Sequence, residues 1–195
     1  MRPAFLYAGG IGLALVLALV ARSMRPRAPL PMLGQIPTFA LTDQAGSPFT
    51  TDAMRGHVTV VDFIFTRCPS SCPRLTARMT ALQGRLQSDK SDARLVSFSV
   101  DPDDDTPPVL AAYAAKAHAD ARRWTFVTGP YNDVAAAVVL GFKISTAKIT
   151  TGAGESDVTH GDWFVLVDRT GAIRGYYPTE DNADFARLVD DTERL

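Results

Sequence analysis

Residues 58–73 read VTVVDFIFTRCPSSCP. The first eight, Val58 to Phe65, are rich in β-branched side chains and apolar except for Thr59 and Asp62. A short apolar run without alternation marks a strand buried on both faces, as at the centre of a parallel or mixed sheet. It runs directly into a C-x3-C pair, Cys68 and Cys72. Beyond the pair, Leu75, Met79, Leu82 and Leu86 fall at helical spacing and predict a helix with one apolar face.

The same alternation continues downstream. Arg94 to Val100 reads as a strand, and Pro107-Pro108 opens an alanine-rich helix in whose first turn proline is tolerated. Trp124 to Val127 reads as a strand, followed by a helix that Asn132-Asp133 would cap and Gly141 would end. Trp163 to Val167 and Ala172 to Tyr177 form a hairpin across the turn Asp168-Arg-Thr-Gly171. A polar amphipathic helix beginning near Asp181 closes the chain, with Phe185, Leu188 and Val189 inward. Upstream, Phe39 to Gly46 reads as a short strand and a turn. After that first strand the order is βαβαβαββα, which predicts an α/β sandwich. A strand leading into a cysteine pair and then a helix is the thioredoxin arrangement. The expected fold is therefore thioredoxin-like, a central mixed sheet flanked by helices.

The cysteines carry the chemistry. If the second half of the motif begins a helix, Cys68 and Cys72 share one face through the i, i+4 relation. The helix amino terminus, with Arg67 and Arg74 nearby, predicts that both sulfurs ionise more easily than a free cysteine. Inert core thiols are disfavoured by the flanking prolines and serines. A purely structural disulfide is disfavoured because so small a loop removes little unfolded-state entropy. A chemically active pair remains, one that exchanges disulfides, binds metal, or does both. The C-x2-C spacing is the usual one for thioredoxin-type oxidoreductases, so the extra residue raises the question of metal.

Two sulfurs are two ligands, and there are three histidines. His57 lies at the polar entry to a strand and His118 on the alanine-rich helix, and both read as structural. His160 lies just before the strand WFVLV. In a thioredoxin-like sheet that loop packs against the start of the active-site helix. Many thioredoxins carry a cis-proline there. His160 is thus the candidate third ligand. Two thiolates and one imidazole form a soft three-coordinate set that suits Cu(I), whereas zinc prefers a fourth ligand.

The remaining composition bounds the function. The chain has 195 residues, 46% hydrophobic and 21% charged, and a net charge of -1. No basic stripe for nucleic acid is present. The near-neutrality is a cancellation: residues 1–27 hold four arginines and no acid, and the rest of the chain is acidic. Ala4 to Ala21 is uncharged, and at about 1.5 Å rise per residue it spans roughly 27 Å, near the thickness of a bilayer core. A cleavable signal peptide is the alternative, but Ala21-Arg22-Ser23 is a poor cleavage site. The predicted organisation is an N-terminal membrane anchor (1–22), a proline-rich linker (23–37) and one domain (38–195). Arg22, Arg25 and Arg27 outnumber Arg2, which taken alone favours a cytoplasmic domain.

Four stretches, DFIFTRCPSSCPRLTARM, SFSVDPDDDTPPVLAAYA, RRWTFVTG and THGDWFVLVDRTGAIRGYY, together resemble the SCO/SenC family. These are membrane-anchored, thioredoxin-like copper proteins that assist assembly of the dinuclear copper site of cytochrome c oxidase. The resemblance covers roughly residues 35 to 192 and the anchor. It implies that Cys68, Cys72 and His160 are ligands to Cu(I) or Cu(II). It also implies that the domain lies outside the membrane, in the periplasm of a bacterial protein, against the arginine count. The expected partners are the copper-site subunit of the oxidase, other copper chaperones or thiol reductants, and the membrane. A thiol–disulfide oxidoreductase that keeps the oxidase's copper-ligand cysteines reduced is the alternative, with Cys68 and Cys72 as its catalytic pair. Around the histidine the family often has an acid before and a hydroxyl after, where this chain has Thr159 and Gly161. Asp157 and Asp162 are close enough in sequence to serve as supporting groups. The acidic run Asp101, Asp103, Asp104 and Asp105 reads as a solvated loop and helix entry. Trp124, Tyr176 and Tyr177 read as packing residues.

Overall fold

In a computed structural model, the structure describes residues 28–69, 71–144 and 162–195. Pro31–Leu195 forms one compact unit. The predicted anchor, Ser70 and His160 lie outside the described residues, and no described helix is long and apolar enough to cross a membrane.

The strands are β1 (Gly34–Gln35), β2 (Ala40–Asp43), β3 (Pro48–Thr50), β4 (Thr59–Ile64), β5 (Arg94–Ser99), β6 (Trp124–Thr128), β7 (Trp163–Val167) and β8 (Ala172–Pro178). They form one mixed sheet in the order β1-β8-β7-β4-β5-β6-β2-β3. β4, β5 and β6 are parallel, and the remaining pairings are antiparallel. The helices are α1 (Cys72–Ser88), α2 (Pro107–Lys116), α3 (Tyr131–Ala135) and α4 (Asn182–Glu193).

β4 is buried at every position, as its unbroken apolar run requires. Its alternate residues feed two cores. On one face Val61 and Phe63 join Phe98, Val127, Val165 and Phe142. The Phe142 ring meets Phe63 and Phe98 edge-on at 5.4 and 5.2 Å. On the other face α1, α2 and α4 cover the sheet. Leu75, Met79 and Leu82 of α1 are fully buried, Tyr113 of α2 packs on Phe126, and Phe185 of α4 packs on Phe164. The sandwich predicted from the alternation is therefore present.

Two local expectations need correction. The stretch assigned to the linker enters the sheet before it ends. β1 pairs with β8, Leu33 N donates to Ile173 O at 2.8 Å, and Ile36 is buried. Its four prolines hide the one apolar residue, Ile36, that the sheet edge takes in. Asn132 and Asp133 do not cap a helix from outside. α3 starts at Tyr131 after Pro130, and from Ala136 to Gly141 the helix widens to π geometry, with Phe142 N bonded to Ala137 O. Gly141 is where Pro37 packs, so closely that a Cβ there would lie 2.1 Å from the proline ring.

Candidate metal and dithiol site

The C-terminal ends of β4 and β5 open onto one edge of the sheet, the usual location of sites in open α/β sheets. β4 leads to the loop carrying Cys68, and β5 leads to the loop carrying the acidic run. Cys68 N donates to Phe65 O at 3.2 Å, closing a turn. Cys72 is the first residue of α1, and Pro73 follows in the first turn, where its missing N–H costs nothing.

Ser71 is the capping residue of α1, but its side chain makes no capping bond. The Cys68 sulfur accepts from Cys72 N at 3.4 Å instead. A sulfur placed at the amino terminus of a helix is stabilised as thiolate. Cys68 and Cys72 are both thiols, 8% and 1% exposed. The pair is thus asymmetric. Burial pushes the Cys72 thiol well up, and the charges of Cys68 and Asp62 act in the same direction. A backbone hydrogen bond from Phe65 works against this and does not cancel it. The expectation that both sulfurs ionise easily is therefore wrong for Cys72. Desolvation of the anion outweighs the helix terminus.

Asp62 lies on the same sheet face, behind the motif. It is fully buried, and neither carboxylate oxygen has a hydrogen bond of ordinary geometry. Burial raises its carboxyl to about 7, against the opposing pull of Ser97, its register partner on β5. The signal was in the sequence, a carboxylate inside a strand with two buried faces.

Beside α1, Arg74 pairs with Asp162 at 3.0 Å. Arg78 donates to the carbonyls of Glu180 and Asp181 and to Asn182 Oδ1. The first turns of α1 are thereby tied to the start of β7 and to the entry of α4. Asp162 follows His160 by two residues. Among the described residues no group of three metal-ligating side chains comes together, and the sulfurs contribute two.

The other histidines keep structural surroundings. His57 Nδ1 is buried and 3.9 Å from Asp92, far from the cysteines in the fold. Burial lowers its pKa. His118 lies just past the end of α2, not on it, with a positive φ of 53°. Trp124 is fully buried and donates to Ser97 Oγ. Tyr177 is buried with its hydroxyl on Asp191, and Tyr176 packs against the core.

The acidic run is not a solvated loop throughout. Asp103 and Asp104 are exposed, but Asp101 is 4% and Asp105 0% exposed. Arg67 donates to both Asp101 and Asp104, and Asp105 turns inward. Sequence reasoning missed this because a run of carboxylates before a helix looks like charge complementing its dipole.

Fold and site together define a thioredoxin-like protein with a dithiol at the C-terminal edge of its parallel strands. Residues 32–195 match the SCO1/SenC family model, and the chain belongs to that family. It is 32% identical to the SCO1 protein homolog of Bacillus subtilis over 84% of this chain and 83% of that one. A SCO1/SenC family lipoprotein from Bacillus anthracis superposes with a TM-score of 0.78 at 34% identity, covering 86% and 99% of the two chains. BsSco, a member of the Sco family of cytochrome c oxidase assembly proteins solved in connection with a disulfide switch, gives 0.73 at 28% identity, covering 87% and 97%. Bradyrhizobium japonicum ScoI with copper bound shares the fold at 0.67 and 23% identity, covering 86% and 99%.

Proposed function

We propose that this chain is a copper metallochaperone serving the dinuclear copper site of cytochrome c oxidase. The reading has Cys68, Cys72 and His160 as the ligand set and Cu(I) or Cu(II) as cargo. One observation carries it. The Cys68 sulfur faces the first amide of α1, and the Arg74–Asp162 pair holds the chain two residues after His160 against the same helix. Two soft sulfurs and an imidazole are a donor set for copper. The oxidase-assembly role of BsSco supports the same partner, and a putative copper-binding protein of Stutzerimonas stutzeri, 30% identical over 75% of this chain, supports the same cargo.

Cargo capture needs both sulfurs as thiolates. The raised Cys72 thiol therefore has to lose its proton as metal arrives, so uptake releases protons and weakens at low pH. Delivery is ligand exchange onto the thiolates of the oxidase subunit. A Cys68–Cys72 disulfide offers no thiolate, so loading is gated by reduction. The proposal includes residues 1–22 as a membrane anchor and, in a bacterium, a periplasmic domain.

The asymmetry of the pair favours a second reading, a thiol–disulfide oxidoreductase. Cys68 thiolate would attack a partner disulfide and release one partner thiol. Cys72 thiolate would then attack the Cys68 sulfur of the mixed disulfide and release the second. Two electrons pass to the partner, and the dithiol becomes a disulfide. That route needs no His160. Copper titration of the reduced full chain in detergent, followed by absorption and spin resonance, separates the readings. The expected result is one tightly held copper per chain and much weaker retention in His160→Ala. Parental copper retention in His160→Ala, with exchange activity lost in either cysteine variant, would overturn the chaperone reading.

A further inference from the structure

Asp105 is a carboxylate with no surface exposure at the end of the loop after β5. It does not cap α2, whose capping residue is Thr106. Its oxygens accept from Thr66 N at 3.1 and 3.3 Å, from Thr66 Oγ at 2.5 Å and from Ser99 Oγ at 2.6 Å. The two loops are 39 residues apart in sequence. Three donors leave this buried carboxyl group well satisfied. On the outer side Arg67 repeats the tie, reaching Asp101 and Asp104 of the same loop.

The held residue is Thr66, two positions before Cys68. Both its amide and its hydroxyl are fixed, and Cys68 N is in turn bonded to Phe65 O. At about 3.3–3.6 Å of chain per residue, Cys68 cannot stray far from a fixed Thr66. We infer that Asp105, through Thr66, is a positioning residue that sets the Cys68 sulfur relative to the start of α1 and so tunes the dithiol. The inference deepens the copper reading where its readout is metal, and is independent of that reading where its readout is the thiols. The chain offers a matched control at the other end of the sheet. Asp168 is 6% exposed and accepts from Thr170 N, Thr170 Oγ, Ala172 N and Arg174 Nε. It is an equally engaged carboxylate, remote from the cysteines.

The test uses the full chain in detergent and compares Asp105→Asn, Thr66→Val, Thr66→Ser and Asp168→Asn. Two quantities are read beside the melting temperature. One is the Cys68–Cys72 dithiol–disulfide equilibrium against reduced and oxidised dithiothreitol. The other is copper retention against a competing chelator, with the copper absorption spectrum. Asp105→Asn and Thr66→Val should shift the dithiol equilibrium and weaken copper retention by roughly tenfold or more. Thr66→Ser, which keeps the hydroxyl, should behave as the parent. Asp168→Asn should lose stability with both site readouts unchanged. If Asp105→Asn does not fold, Thr66→Val decides, since it leaves Asp105 its bonds to Thr66 N and Ser99. Parental equilibrium and retention in the folded variants, whatever their melting temperatures, would overturn the inference. A parent that binds no copper, with the dithiol equilibrium still shifted in Asp105→Asn, would sink the copper reading and leave the positioning role standing.

Discussion

Single side chains set the character of this site through burial more than through charge. Cys68 is 8% exposed and its sulfur accepts a helix amide, whereas Cys72 is 1% exposed and its thiol is pushed up by desolvation. Cys68 should therefore react first. With limiting iodoacetamide on the reduced protein, peptide mass mapping should find label on Cys68 well ahead of Cys72, and equal labelling would contradict the asymmetry. Asp62 gives a second residue-scale prediction. Its carboxyl rises from 3.8 to about 7 in the folded chain. Between those values the folded protein holds a proton that the unfolded chain has lost. Asp62 thus contributes stability that is complete below about pH 4 and is lost as the pH rises through about 7. Three units correspond to about 4 kcal/mol as an upper bound. Asp62→Asn keeps a neutral side chain at every pH. Relative to the parent it should gain stability steadily between pH 4 and 8 in urea unfolding, and parallel profiles for the two proteins would refute the argument.

Secondary elements were legible wherever one pattern dominated. β4 and α1 follow directly from an unbroken apolar run and a helical stripe. The π turn after α3 was not legible, since Ala136 to Gly141 carries an ordinary helical composition. Its last residue, Gly141, packs against Pro37. Gly141→Ala puts a methyl group into the proline ring, and overpacking of this kind costs about 1–3 kcal/mol. Thermal unfolding should show a clear fall in the midpoint for Gly141→Ala, whereas Gly84→Ala, where a Cβ meets nothing, should not fall. Equal midpoints in the two variants would count against a tight Pro37 contact.

At the scale of the whole molecule, the domain begins earlier than its composition suggests. A chain starting at residue 38 would lose β1 and the buried Ile36, while one starting at residue 28 would keep both. Burying an Ile side chain contributes about 1.5–3 kcal/mol, so the shorter form should unfold at distinctly lower urea concentration. Identical midpoints would restore the linker boundary at 37.

The sequence by itself determined the α/β order and the strand–dithiol–helix unit, which rest on periodicity and on residues adjacent in the chain, and the resemblance to the SCO1/SenC family, which rests on four short motifs. It could not decide that burial pushes the Cys72 thiol up, that Asp105 turns inward to Thr66 while Asp103 and Asp104 are exposed, or that Arg74 meets Asp162 from 88 residues away. Desolvation and long-range hydrogen bonds depend on what the folded chain brings together. Only the tertiary structure decides how a carboxylate or a thiol is surrounded.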